Sequence, residues 1–322
     1  MLFVTFHGGK PDKHKFLNNI HVYDKDGKLV TQSILDDTPG IVLDELRAIH
    51  LRGKLLYVVN ANQSQNNVLC YKAKGKKYSY VSTFVSGASC PAILHPFDLT
   101  FDDVGFCYLS SQDTNVVTRL KVSKNGRTGT PAAVAPALPA NGKFMPGTFI
   151  ASSVGTLSTP GTTPVAIPAG LAYSGAGAKK HSVRGVLWVR GALYVVDQPA
   201  GRVKVYDADG KLVGQSNQVK QPVHLHHHQG RLYVTGGNQV LTAKIPEKAG
   251  DFTLAPLPGI EMKNAGSLTI TGSGQMYLAS RTGNVIGKFD KKLASLAFGS
   301  TLPDNPEFLL HVKKTRVGLS FA

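Results

Sequence analysis

The sequence predicts an all-β chain: a single β-propeller of about six four-stranded blades, closed by pairing its N- and C-terminal strands. Three observations predict it. A Leu-Tyr-Val-like strand recurs at intervals of blade length, the composition favours turns over long helices, and each chain end supplies the strand that the other lacks.

The composition comes first because it sets the class. Of 322 residues, 42% are hydrophobic and 17% charged, with 34 Gly and 18 Pro. This balance suits many short strands broken by turns. At this length one large all-β domain spanning 1–322 is the expected organisation.

The recurring strand reads Leu56-Tyr57-Val58, Cys107-Tyr108-Leu109, Leu193-Tyr194-Val195, Leu232-Tyr233-Val234 and Met276-Tyr277-Leu278, with Leu2-Phe3-Val4 as a cruder copy. From Phe3 onwards the aromatics lie 54, 51, 86, 39 and 44 residues apart. All but the third interval match a propeller blade of roughly 40–50 residues. A sharper internal match pairs residues 21–33 (HVYDKDGKLVTQS) with 204–216 (KVYDADGKLVGQS), identical at 10 of 13 positions. Each copy reads as a strand, an Asp-x-Asp-Gly turn whose Gly accepts positive φ, and a return strand: the outer hairpin of a blade.

The run Gly191-Ala192-Leu193-Tyr194-Val195-Val196-Asp197, followed by Arg202-Val203-Lys204-Val205-Tyr206 and Asp209-Gly210, resembles NHL-repeat propellers, and the segment from His95 to Asp102 resembles that family's opening strand. The resemblance covers most of the chain loosely, since several blades lack the family's usual Pro and Gly. It implies the fold; function is not implied, because propellers host enzymes, scaffolds and nucleic-acid binders alike.

The 86-residue interval holds seven prolines between Tyr108 and Tyr194 and no Gly-x-Leu-Tyr strand, so a Pro/Gly-rich insertion over about 127–180 is expected there rather than a seventh blade. Ring closure is expected at the ends. The segment from Glu307 to Val312 reads as an inner strand without an outer hairpin, while the N-terminus has outer strands and no inner one. Arg316 to Phe321 is an apolar stretch left without a place.

Sites in propellers gather where inner strands begin, around the central channel. Aligning the blades on their Gly-x-Leu-Tyr turns places Arg47, Asp98, Gly185, His224, Ser267 and Phe308 at those starts, with His50, His95, Arg184, Glu307 and His311 close by. Within this ring Arg47, Arg184, Ser267 and His50 are the expected ligand contacts. His95, His224, Asp98 and Glu307 are the expected acid/base groups. Neutral imidazoles on converging strands could hold a divalent ion and acidify its water. By position, and by what the resemblance to zinc-binding NHL-type amidating lyases implies, His95, His224 and His311 would be the zinc ligands. No HExxH, CxxC pair, Gly-x-Ser-x-Gly elbow or phosphate-binding Gly loop is present.

Lys plus Arg (36) exceed Asp plus Glu (20), a net charge of +16 that favours anionic partners. The leading expectation is a propeller binding a small anionic molecule at its channel mouth, with a divalent-metal lyase or hydrolase as its catalytic form. The alternative is a non-catalytic scaffold that binds a polyanion (RNA or acidic polysaccharide) or a protein through a basic surface, with Lys and exposed Tyr in turns such as Tyr71 to Tyr80. Cys70, Cys90 and Cys107 cannot all pair within one chain, so no disulfide framework is expected. No run of about eighteen apolar residues occurs, so membrane insertion is not expected. The chain reads as cytoplasmic, or as secreted if a signal peptide has been removed.

Overall fold

The computed structural model describes residues 1–8, 17–132, 139–140, 143–144, 147–152, 156–157, 165–166, 170–172 and 182–313. Its strands form six four-stranded antiparallel blades. Blade 1 combines Pro306–His311 with Leu2–Phe6, His21–Tyr23 and Leu29–Thr31. Blade 2 runs from Leu46–Arg52 through Leu55–Asn60 and Asn67–Lys74 to Lys77–Ser86. Blade 3 holds Pro96–Phe101, Phe106–Ser111, Val116–Val122 and Gly129–Pro131, and Thr148–Ile150 also pairs with its third strand. Blade 4 comprises Val183–Val189, Ala192–Asp197, Arg202–Tyr206 and Leu212–Gln215. Blade 5 is built from Pro222–His228, Arg231–Gly236, Gln239–Lys244 and Ala255–Glu261, and blade 6 from Ala265–Ile270, Met276–Ser280, Ile286–Phe289 and Ser295–Leu296.

Every first strand touches the first strands of both neighbouring blades, so the six close a ring about a central channel. Closure is the pairing expected from the sequence: the C-terminal Pro306–His311 hydrogen-bonds the N-terminal Leu2–Phe6, Leu2 opposite His311 and Thr5 opposite Phe308. No sheet edge is left open at the seam. The expected insertion begins inside blade 3, because Gly129–Pro131 is that blade's outermost strand. Most of the rest of 127–180, and Arg316 to Phe321, lie outside the described residues.

The two matched hairpins are the outer pairs of blades 1 and 4. In each, the first Asp anchors the turn: Asp24 Oδ1 accepts the N–H groups of Asp26 and Lys28, and Asp207 Oδ1 those of Asp209 and Lys211. Gly27 sits at φ 84°, where a Cβ would also lie 2.6 Å from the Gly299 nitrogen.

The aromatic of each Leu-Tyr-Val strand packs between blades. Tyr57 meets Phe101 at 4.7 Å, Tyr108 stacks on Trp188 at 5.2 Å, and Tyr194 meets Phe252 at 5.9 Å. Tyr71 and Tyr78 were expected to be exposed. Both are fully buried, Tyr71 bonding the Thr38 hydroxyl at 2.7 Å and Tyr78 packing edge-on to Phe3 at 6.1 Å. Side chains alternate along a strand, so the lysines between them face water while the rings face inwards. All three cysteines are buried and none is joined in a disulfide. Among the described residues no helix is long and apolar enough to cross a membrane.

Candidate functional site

Each of the six inner strands carries one extra residue near its start. Four residues from Leu46 to Ile49 oppose three from Asn60 to Val58, and a one-residue bulge recurs from Pro96 to Leu99, Val183 to Val186, Pro222 to His224, Ala265 to Leu268 and Pro306 to Phe308. Bulges re-aim side chains. Here they divide the converging strands into two layers.

The second residue of each strand forms the mouth layer: Arg47, Phe97, Arg184, Val223, Gly266 and Glu307. The third forms a deeper layer: Ala48, Asp98, Gly185, His224, Ser267 and Phe308. The ring expected from sequence therefore holds for five blades, and Arg47 stands one position nearer the mouth than the other five.

Residues just outside the strands complete the mouth. Glu45, His95, Gln221 and Asn264 each precede an inner strand and each adopt positive φ, between 47° and 50°. Four non-Gly residues in this sparsely populated region, at equivalent blade entries, mark a place where the surrounding structure holds strain. His7, Gln198 and Arg281 contribute from the exits of second strands.

Glu307 is the buried centre of this cluster. Its Oε1 lies 3.0 Å from Arg47 Nη1 and 3.0 Å from His7 Nδ1, and Oε2 lies 3.8 Å from Arg281 Nε. Burial opposes its charge, but Arg47 and Arg281 beside it outweigh burial and hold the carboxyl well below the usual range. Arg47 also reaches Glu45 at 3.1 Å. His95 lies between two carboxylates, with Nε2 3.2 Å from Glu45 and Nδ1 3.5 Å from Asp113. The His95 hydrogen bond, with Arg47 next, holds the Glu45 carboxyl below its ordinary value despite partial burial.

Arg184 is different. Only 6% exposed, it donates from Nε to Gln198 at 3.2 Å and lies over the Phe97 ring at 5.0 Å, and no carboxylate stands within 4 Å of it among the described residues. Burial and then repulsion from Arg281 and Arg47 push its guanidinium below the ordinary value. Beside it opens a cleft of 280 Å³ lined by Gln198, Gln221, Val223, Asn264, Arg281 and Thr282, among others.

The deeper layer gives Asp98, His224 and Phe308 to the lining of a 240 Å³ cavity in the channel, to which all six blades contribute. Its polar groups are engaged between blades. Asp98 accepts the N–H of Val186, His224 Nδ1 that of Leu268 at 3.4 Å, and Ser267 Oγ that of Leu309 at 3.1 Å. One step further along, Thr100 accepts from Trp188 and His226 Nε2 from Ile270. Burial pushes Asp98 up to about 7, and pushes His224 and His226 down to about 3 and His50 to about 4.

The residues expected to act together thus separate by depth. Arg47, His95, Arg184 and Glu307 meet at the mouth. His50, Asp98, His224 and Ser267 lie in the channel wall. His311 lies in a third place, a 350 Å³ groove with Met1, Lys25, Tyr277 and Lys313, where burial lowers its pKa to about 4. His95, His224 and His311 are not brought together. Among the described residues no group of three His, Cys, Asp or Glu stands close enough to hold a metal ion.

No family model matches this sequence. No curated protein matches it either. Among solved structures the chain is similar to a protein of unknown function from Bacteroides caccae (TM-score 0.58, 11% identity, 96% of this chain and 97% of that one). It is similar to a protein from Bacteroides fragilis provisionally assigned as a 6-phosphogluconolactonase (TM-score 0.54, 14% identity, 97% of each chain). It is also similar to a chain of the nidogen/laminin complex (TM-score 0.54, 11% identity, 96% of each). At such identities these likenesses speak to the fold alone.

Proposed function

We propose that this propeller binds a small anionic molecule, a carboxylate or phosphate ester, at the mouth of its channel. The observation that carries the reading is Arg184. A guanidinium taken out of water without a contacting carboxylate costs several kcal/mol; Arg281 and Arg47 nearby raise that cost, and Glu307 and Asp113, too distant for an ion pair, offset it only in part. An anion seated in the adjoining cleft would meet Arg281, Gln198, Gln221 and Asn264 in its lining, with the Arg184 fork reaching it from beside Gln198, to which its Nε donates. Glu307 and Glu45 keep Arg47 committed, which leaves Arg184 for the ligand.

In the catalytic form of this reading, a lyase or hydrolase, His95 is the proton-transfer group, bracketed by Glu45 and Asp113 at the mouth. The donor set does not fit one shared zinc ion, so no step is drawn through a metal. We read the repeat itself as NHL-like on the strength of Gly191 to Asp197 and the Asp-x-Asp-Gly turns.

The test is a thermal-shift screen of small carboxylates and phosphate esters on the wild type and on Arg184→Met. A ligand should raise the wild-type melting temperature and leave Arg184→Met unmoved, while the unliganded variant melts no lower than wild type because an incompletely compensated buried charge has gone. If no anion stabilises the wild type, or the variant responds equally, the reading fails.

A further inference from the structure

The face opposite the mouth, where inner strands turn back into second strands, carries an uneven charge. Arg52 and Lys54 flank the first hairpin of blade 2, and Lys72, Lys74, Lys76 and Lys77 its outer hairpin. Lys121, Lys124 and Arg127 lie on the corresponding turn of blade 3. All nine are exposed. The turns adjoin, since Tyr57 donates its hydroxyl to the Gly126 carbonyl at 2.7 Å, Ser82 to that of Arg127 at 2.6 Å, and the Ala73 N–H to Lys54 at 3.4 Å.

Carboxylates are scarce there. Asp36, with Asp37 next to it in the chain, pairs with Lys77 at 3.6 Å; Asp102 is buried and accepts the N–H groups of residues 104, 105 and 106; Asp103 is exposed. The other blades explain the contrast. In blades 1, 4 and 6 the outer turn is anchored by Asp24, Asp207 or Asp290 accepting backbone N–H groups, and these acids balance the neighbouring lysines. Blade 3 replaces that carboxylate with Ser123 and Asn125, and blade 2 with a Gly75 hairpin at φ 61°. The turns keep their shape while the anion is gone.

We infer that the outer turns of blades 2 and 3 are a docking surface for the phosphate backbone of a nucleic-acid duplex. Seven of the nine cations are lysines, point charges that neutralise phosphates without a fixed fork geometry. They project as hairpin tips, which suits a cylinder presenting charge along its outside rather than a saccharide ring seeking a groove. The aromatics beside them are largely withdrawn: Tyr57, Tyr71 and Tyr78 are buried, Phe101 lies under Arg52 at 5.2 Å, and the half-buried Tyr80 packs edge-on against Tyr71 at 5.9 Å, so single-strand stacking has little platform.

The experiment measures binding of a fluorescein-labelled, mixed-sequence duplex by anisotropy against salt. With about five phosphates engaged, affinity should fall by a few hundred-fold from about 50 to about 200 mM salt. The triple variant Lys74→Glu, Lys76→Glu, Lys124→Glu should lose at least about tenfold in affinity and reduce the salt slope by about three, with its melting temperature unchanged. Lys248→Glu with Lys292→Glu, on the same face of blades 5 and 6, should bind as wild type does. Arg184→Met should also bind duplex normally, which separates this surface from the mouth. Absent binding, a triple variant that binds normally, or tighter binding to a sulfated polysaccharide or to anionic vesicles at matched charge would each overturn the inference.

Discussion

Asp98 in blade 3 accepts the backbone N–H of Val186 in blade 4 through Oδ2 at 3.0 Å, while Oδ1 accepts the N–H of Leu99 at 2.8 Å. A side chain expected to act on a ligand thus links one blade to the next. Burial pushes its carboxyl up to about 7, from about 3.9 in an unfolded chain. The folded state therefore holds the proton more tightly, so this group's contribution is full below about pH 4 and is lost as pH rises through about 7. Asp98→Asn removes the titration. In chemical denaturation, the stability of wild type relative to Asp98→Asn should fall as pH goes from about 5 to about 8, and a difference that stays flat would refute the assignment.

His226 works in the opposite sense. Its Nε2 accepts the N–H of Ile270 at 3.2 Å, and burial drives its pKa down to about 3 against an unfolded value of about 6.5. The neutral ring stabilises the fold above about pH 6.5, and that contribution drains away as pH falls towards 3. His226→Gln should narrow the acid sensitivity of the wild type between pH 6.5 and 4. His226→Ala, which strands the Ile270 N–H in the channel wall, should cost about 1–3 kcal/mol at pH 7.5. Urea titrations at several pH values read both effects.

The architecture was legible because its signals are local and repeated: the Leu-Tyr-Val strands, the matched hairpins and the complementary ends each name a blade. Most of the mouth was not, because its residues come from places where the chain leaves regular structure. Glu45 and Gln221 occupy left-handed conformations that no hydrophobic pattern announces. One signal was available and unused. His7, Gln198 and Arg281 each lie four residues after the aromatic of their second strand, at Phe3, Tyr194 and Tyr277, so counting four from the repeat finds these rim residues. Arg47 stands one place off because turn-to-turn alignment cannot see that the first hairpin of blade 2 closes through two residues, Arg52 opposite Leu55, where those of blades 3 and 6 close through five.

Thr5 ties the seam to the neighbouring blade. Its hydroxyl donates to the Arg47 carbonyl at 2.9 Å in blade 2 and accepts the N–H of Phe308 at 3.1 Å from the C-terminal strand. Thr5→Val keeps the shape and removes both bonds, leaving a buried N–H and carbonyl unsatisfied. The expected cost is about 1–3 kcal/mol, and native-state hydrogen exchange should rise first in Pro306–His311. Equal exchange increases in all six blades would show that the seam is not the weak point.

The Arg47 and Glu307 pair is expected to be strongly non-additive. Both side chains are almost wholly buried, with Nη1 and Oε1 3.0 Å apart. Arg47→Met leaves the Glu307 carboxylate with His7 and the more distant Arg281, an under-compensated buried charge, and should cost about 3–5 kcal/mol. Glu307→Gln alone frees Arg47 towards Glu45, which is partly exposed, and should cost less. With Glu307→Gln already in place, Arg47→Met should be far less costly, because the charge it would strand has gone. A double-mutant cycle by denaturant unfolding measures this coupling, and additive costs would mean that water, not Arg47, compensates Glu307.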